Sequence, residues 1–159
     1  MNEQDIINEL SDWLDSRKYP FQLPRSFIYD WESDYWAMDK NGITREYEIK
    51  TSLSDFRKDA KKPKHSVLGT TGPNYFYYVC PKDMIKVEWI NKKYGLIYVW
   101  DSGMIEIVKR PLKLHGNEFS NWKQMAIKMY WKFWTLWREK YHNGHITHTE
   151  YKQQKNNIS

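Results

Sequence analysis

The sequence predicts an α/β (α+β) domain with a central mixed β-sheet flanked by helices. Three observations carry this reading: an apolar helical period near each end of the chain, β-rich runs between them, and two glycine-containing turns that join four of those runs as hairpins. With 159 residues the chain suits one ordinary core and is short for two. A single domain is expected over 1–144, with a polar, frayed tail over 145–159.

The elements follow in order. Ile6, Leu10, Trp13 and Leu14 recur at helical spacing among polar residues, with Asn2 as a cap and acids in the first turn, which predicts a helix over Glu3 to Arg17. Tyr19-Pro20 and Pro24 end it, and the β-formers of Arg25 to Trp31 predict a first strand. Asp34 to Asp39 and Ile43 to Lys50 flank Lys40-Asn41-Gly42, a hairpin signal because Asn and Gly accept the positive φ of tight turns. Ser54 or Thr51 can cap a short helix carrying Asp55, Phe56 and Arg57, before a mostly basic run to His65. Asn74 to Cys80 is a continuous apolar and aromatic run, as expected of a strand covered on both faces. Gly95 to Trp100 and Met104 to Lys109 read as a second hairpin, and Asn121 to Tyr141 as a long helix with Trp122, Met125, Ala126, Met129, Phe133, Leu136 and Trp137 on one stripe.

Composition narrows the function classes. Hydrophobic residues at 40% and charged residues at 28% are globular proportions, which excludes an intrinsically disordered chain. The net charge of +5 suits a polyanionic partner. Cys80 stands alone and cannot form an internal disulfide, and neither a signal-peptide core nor a long apolar run is present, so a soluble cytoplasmic protein with no membrane partner is expected. Aromatic residues reach 17%, with 9 Trp and 12 Tyr, more rings than a core of this size needs, so some are expected at the surface.

Glu48 and Lys50 are two apart on a predicted strand and project from one face, while Ile49 points to the other. The turn decides where Asp34 falls. A three-residue loop over 40–42 sets Asp39 opposite Ile43 and Asp34 opposite Glu48, whereas a two-residue loop sets Tyr35 opposite Glu48 and turns Asp34 away. Under the longer turn, two carboxylates and an ammonium meet at one end of the hairpin. That trio suits phosphodiester hydrolysis: Asp34 and Glu48 as oxygen ligands for Mg²⁺ or Mn²⁺, and Lys50 as an electrostatic stabiliser or as the group that deprotonates water. A lysine beside two carboxylates and a phosphate stays protonated unless desolvated, which favours the electrostatic role. Glu-x-Lys alone is common on exposed strands, where such charges contribute little.

The surrounding residues add specificity. Glu48-Ile49-Lys50-Thr51-Ser52-Leu53-Ser54-Asp55-Phe56-Arg57-Lys58-Asp59-Ala60-Lys61 closely resembles the E-I-K-x-S-x-x-D-F-x-x-D-x-K signature of the MmcB-like DNA-repair proteins, a branch of the PD-(D/E)xK nuclease superfamily. Tyr75 to Val79 before Pro81, and Tyr94 to Val99 before Arg110-Pro111, are similar to features that follow the signature there, so the likeness spans about residues 25 to 114. The resemblance implies a restriction-endonuclease-like core, a divalent metal and DNA as substrate or partner. It puts Asp34 as the first acid, Glu48 as the second and Lys50 as the lysine, with the Ile49 backbone carbonyl on the metal. Ser33 stands where the superfamily's name has proline. Some members add a helix-borne glutamate, for which Glu9 is the candidate here.

Ser52 shares the face of Glu48 if the strand continues, and is a candidate DNA contact. Asp55 is expected to cap the next helix, and Asp59 to face solvent or pair with a lysine. Arg57, Lys58, Lys61, Lys62, Lys64 and His65 are candidate phosphate contacts, with a solvated loop as the plain alternative. In the last helix Tyr130, Trp131 and Trp134 fall off the stripe, interleaved with lysines, which suits base stacking, burial against the sheet, or a homodimer or protein contact. His142, His145 and His148 are spaced by three, but a polar tail is a poor setting for a metal site. The sequence thus predicts a metal-dependent DNA endonuclease in repair, recombination or nucleic-acid processing. The alternatives are an inactive nuclease-fold module for DNA binding or assembly, and an RNA-directed nuclease.

Overall fold

The structure is a computed structural model that describes residues 1–141. Its elements are α1 (Glu3–Trp13), β1 (Phe21–Ser26), β2 (Ser33–Met38), β3 (Thr44–Ile49), α2 (Leu53–Asp59), α3 (Lys64–Val67), β4 (Tyr75–Pro81), a 3-10 turn (Val87–Trp89), β5 (Gly95–Val99), β6 (Ile105–Lys109) and α4 (Trp122–Tyr141). This is an α+β fold around one six-stranded mixed sheet in the order β1-β2-β3-β4-β5-β6. The pairs β1/β2, β2/β3 and β5/β6 are antiparallel, and β3/β4 and β4/β5 are parallel. Parallel neighbours need crossovers. The β3-to-β4 crossover carries α2 and α3, which places them beside the residues at the end of β3.

Two compact units are present. The first, Met1–Trp122, contains the whole sheet; the described part of the second is the rest of α4, from Lys123. The single body expected over 1–144 therefore closes at Trp122. Among the described residues, no helix is long and apolar enough to cross a membrane.

Each face of the sheet has its own core. Ile6, Ile7, Leu10 and Leu14 from the α1 segment pack with Tyr35, Ala37, Tyr47, Ile49, Val79, Ile97 and Val99 on one face. The other buries Phe56 and Leu68 of the α2–α3 crossover with Phe76, Tyr78, Cys80, Leu96 and Tyr98. The alternation of β3 follows directly: Tyr47 and Ile49 enter the first core, and Glu46, Glu48 and Lys50 point to the second side.

Several boundaries differ from the sequence reading for local reasons. Helix α1 is closed at its start by a capping box, in which Asn2 Oδ1 accepts from the Asp5 N–H (2.9 Å) and Asp5 Oδ2 from the Asn2 N–H (2.7 Å). It stops at Trp13 rather than Arg17, and Asp15 instead accepts from the Arg17 N–H and guanidinium. Strand β1 covers Phe21–Ser26, not Arg25–Trp31. Pro24 lies inside it because β1 is an edge strand, where a missing N–H is tolerated. On α4, Met125 is buried, but Trp122, Phe133 and Leu136 of the predicted stripe are exposed. The helical period is present there, and most of the stripe is not buried.

Candidate active site

The β2–β3 turn has the three-residue form. The Asp39 N–H donates to Ile43 O at 3.0 Å, the Gly42 N–H donates to Asp39 O at 3.0 Å, and Gly42 has φ +80°. Asp39 Oδ1 reinforces the turn by accepting from the Asn41 and Ile43 N–H groups (2.9 and 3.0 Å). Gly42 takes the left-handed position that a side chain would strain. The register runs from Met38↔Thr44 to Tyr35↔Tyr47, so its next step sets Asp34 opposite Glu48.

Asp34 sits at the partly open end of this row. Its Oδ2 accepts from the Ile49 N–H at 2.7 Å, so Ile49 meets the acid through its amide, while its side chain lies in the α1-side core. Burial, and then the Glu48 charge, push the Asp34 carboxyl up to about 7.

Glu48 is buried and held by three lysines. Its Oε1 accepts from Lys50 Nζ (2.7 Å) and Lys62 Nζ (3.4 Å), and its Oε2 is in close contact with Lys64 Nζ. Lys64 also reaches Glu46 Oε1 (3.5 Å). Asp59, fully buried, lies against Lys62 (2.8 Å) and Lys50 (3.4 Å), and its Oδ2 accepts from the Tyr78 hydroxyl (2.8 Å) and pairs with His65 Nε2 (2.9 Å). Asp55, in the first turn of α2, meets Lys50 at 3.3 Å. Burial opposes the charge of Asp59, but the His65 bond and the ammonium groups around it outweigh that and hold its pKa well below the usual range. Burial likewise opposes the charge of Lys50, and Glu48 outweighs it, so its pKa is raised.

The candidates named from sequence now divide. Asp34, Glu48 and Lys50 share one side of the sheet. Glu9 does not join them: its carboxylate lies against Gly103 in the β5–β6 turn, on the side where α1 packs. The α1 acid whose charge Asp34 feels is Glu3, at the other end of that helix, paired with Arg25 at 3.0 Å. Ser52, rather than Ser54, Thr51 or Asp55, is the N-cap of α2; its Oγ accepts from the Asp55 N–H at 3.2 Å and is committed to the helix end. Arg57, Lys58 and Lys61 are exposed and Lys62 is half-exposed, positions open to phosphate. Lys64 and His65 are not such positions. Lys64 is buried between Glu46 and Glu48, and His65 is fixed between Asp59 and Tyr94 (3.0 Å). Pro63 starts α3, which turns both side chains inward. The His142, His145 and His148 spacing lies outside the described residues.

Sequence reasoning missed Glu46, Trp31 and Tyr78; Asp59, expected to face solvent or pair with a lysine, does pair with Lys62 and Lys50 but is buried rather than at the surface. Glu46 had a usable signal, because positions 46, 48 and 50 alternate onto one face. Asp59 had a weaker one, falling one helical turn after Asp55 and Phe56 on α2. Trp31, whose Nε1–H donates to both oxygens of Glu46 at 3.0 Å, had none, since the contact spans 15 residues and comes from a loop.

A divalent ion can be tested against this chemistry. Among the described residues, no group of three or more His, Cys, Asp or Glu stands arranged to hold a metal. The pair Asp34 and Glu48 fits Mg²⁺ or Mn²⁺ in kind, since such ions are held by one or two carboxylates and keep water in other positions. By count, Asp34, Glu46, Glu48, Asp55 and Asp59 face Lys50, Lys62 and Lys64, and without a cation the excess of carboxyl groups is relieved by protons on Asp34 and Glu46, both pushed up to about 7. Half-exposed Lys62 is the ammonium best able to withdraw into solvent and release Glu48 Oε1.

No family model matches the chain, and no curated protein matches it in sequence. In structure it is similar to the SPO1766 protein of unknown function from Silicibacter pomeroyi, with a TM-score of 0.70 and 15% identity over 93% of this chain and 97% of the other. That likeness shows a shared fold.

Proposed function

We propose that this protein is a divalent-metal-dependent nuclease acting on DNA. The observation that supports it most is the β2–β3 register, which sets Asp34 opposite Glu48 with Lys50 on the same face. Asp34 and Glu48 would hold Mg²⁺ or Mn²⁺, which when bound supplies Lewis-acid activation of water and offsets charge on the phosphoryl group. Lys50 supplies fixed positive charge beside the reacting phosphate; its raised pKa supports an electrostatic role over that of a base. Asp55 and Asp59 position the Lys50 ammonium from α2. Arg57, Lys58 and Lys61 lie exposed on and just after that helix to engage backbone phosphates. Repair, recombination or nucleic-acid processing is the setting such a cut serves.

A second reading, a nuclease-fold DNA-binding or assembly module without turnover, is favoured by one observation: both oxygens of Glu48 are engaged by lysines. One assay separates the two. The protein is incubated with single-stranded, duplex, nicked and branched DNA, and with RNA, in Mg²⁺, Mn²⁺ or chelator, beside Glu48→Gln and Lys50→Ala. The nuclease reading expects metal-dependent cutting that both variants lower by about 100-fold or more, the scale of several kcal/mol of lost charge stabilisation. Binding without cutting by the unaltered protein selects the module, and undiminished cutting by the variants removes this site. Cutting of RNA alone reassigns the substrate.

A further inference from the structure

A cleft of about 410 Å³ opens beyond the buried charges, between the loop after β1, the loop before β4 and the segment after β6. Its size lies within the usual range for small-molecule sites. Tyr29, Trp31 and Phe119 bring aromatic rings to it, with Tyr29 and Trp31 stacked at 5.1 Å. Thr71, Ser120, Asn117 and Asn121 bring hydroxyls and carboxamides. Among the described residues no lysine or arginine lines it, whereas exposed Asp30 and Glu118 do. Phosphate and carboxylate are therefore disfavoured, and a flat, uncharged ligand with hydrogen-bonding edges is favoured.

The walls are built rather than incidental. Asn117 Nδ2 donates to Thr70 O (2.9 Å), Asn121 Nδ2 donates to Ile28 O (2.8 Å), and His115 Nε2 pairs with Gly72 O (3.0 Å). Buried Asn74 donates to both His115 O and Asn117 O at 3.2 Å and ties them to Thr44 of β3. Gly72, at φ +92°, lies so close to Trp31 that an added Cβ would stand 3.0 Å from the indole ring. Trp31 is thereby held between Gly72, Tyr29 and the Glu46 carboxylate. Such pinning fixes a binding surface before any ligand arrives.

The cleft also lies near the proposed cutting centre. Thr44 lines it, and Glu48 is four residues further along β3, roughly 13 Å at ~3.3 Å per residue. That distance corresponds to about four stacked nucleotides of one strand, at ~3.4 Å each. We infer that this cleft is a nucleobase site that takes one unpaired base of the bound strand, with its phosphates left outside. The inference rests on the nucleic-acid reading of the centre, and bases stacked on aromatic rings are a common mode of single-strand recognition.

The test uses the full chain in chelator, so that it is independent of cutting. The Trp31 indole N–H resonance, assigned by its loss in Trp31→Phe, is followed by NMR during titration with each of the four deoxynucleosides and, separately, with deoxyribose 5-phosphate. The expected result is a saturable shift with at least one deoxynucleoside, no shift with deoxyribose 5-phosphate, and loss of the response in Thr71→Trp, which fills the cleft from an exposed position. An absent shift with all four nucleosides, an equal shift with deoxyribose 5-phosphate, or an unchanged response in Thr71→Trp overturns the inference. A protein that binds nucleosides here yet never cuts DNA keeps this site and loses only the nuclease reading.

Discussion

The two faces of β3 differ as sharply as two environments in one domain can. Tyr47 and Ile49 enter an apolar core with Ile6, Leu10, Val79 and Val99, where association needs only shape and the loss of water from hydrocarbon. One residue away on either side, Glu46, Glu48 and Lys50 are just as buried, among Asp59 and Lys64. Their burial is opposed by desolvation and tolerated only because every charge has an opposite charge in contact. The apolar face is what a fold requires. The charged face costs stability, and that expense is the physical reason to look for function there.

The largest effect expected to sharpen this contrast comes from removing one member of each face. Lys64→Ala leaves Glu46 and Glu48 with less compensation and should destabilise by about 3–5 kcal/mol, whereas Leu10→Ala should cost about 2–5 kcal/mol through its cavity. Urea unfolding gives both values. They separate with pH: the Leu10→Ala loss should be the same at pH 5 and pH 8, and the Lys64→Ala loss should be smaller at pH 5, where Glu46, raised to about 7, has taken up a proton and no longer needs the ammonium. Equal pH behaviour would break the comparison.

Next in size is the pH dependence of the unaltered protein. Burial, then Glu48, push Glu46 up to about 7 against partial relief from Lys64, and burial with Glu48 does the same to Asp34. Between the ordinary carboxylate range and about 7 the folded state therefore binds more protons than the unfolded one. Stability should fall as pH rises through that window and level off above it. Glu46→Gln should flatten the fall, read as unfolding midpoints from pH 4.5 to 8.

A smaller effect is expected on the exposed cations. Arg57→Gln, Lys58→Gln or Lys61→Gln should weaken DNA binding similarly for all sequences, each lowering the log–log salt slope by about 1. Lys62→Gln should do this and also alter Mn²⁺ affinity, because Lys62 alone of these four touches Glu48. The smallest effect belongs to the α1 side: Glu9→Gln should leave Mn²⁺ affinity and DNA cutting unchanged, measured by calorimetry and gel assay, since Glu9 stands by Gly103.

Much of this was legible in the sequence. The hairpin turn at Asn41-Gly42 was readable because glycine's tolerance of positive φ is local; counting from it left two registers, and the three-residue turn of the structure selects the one with Asp34 opposite Glu48. The period-two alternation placed Glu48 and Lys50 together for the same reason. The polar residues of α2 and α3 were harder. Lys58 and Lys64 belong to one basic run, yet one is exposed and the other buried, because a short α3 beginning after Pro63 turns Lys64 inward toward Glu46 and Glu48.

The sequence alone therefore determined most element types, the mixed α+β sheet and the shared face of Glu48 and Lys50, since each depends on periodicity acting over a few residues; the structure decided the three-residue form of the turn that brings Asp34 opposite Glu48. Only the tertiary structure decided that Asp59 and Lys64 are internal, that Glu9 belongs to the other face and that Trp31 closes over Glu46. Those outcomes depend on which segments meet across 15 residues or more, and on whether a buried charge finds its opposite there.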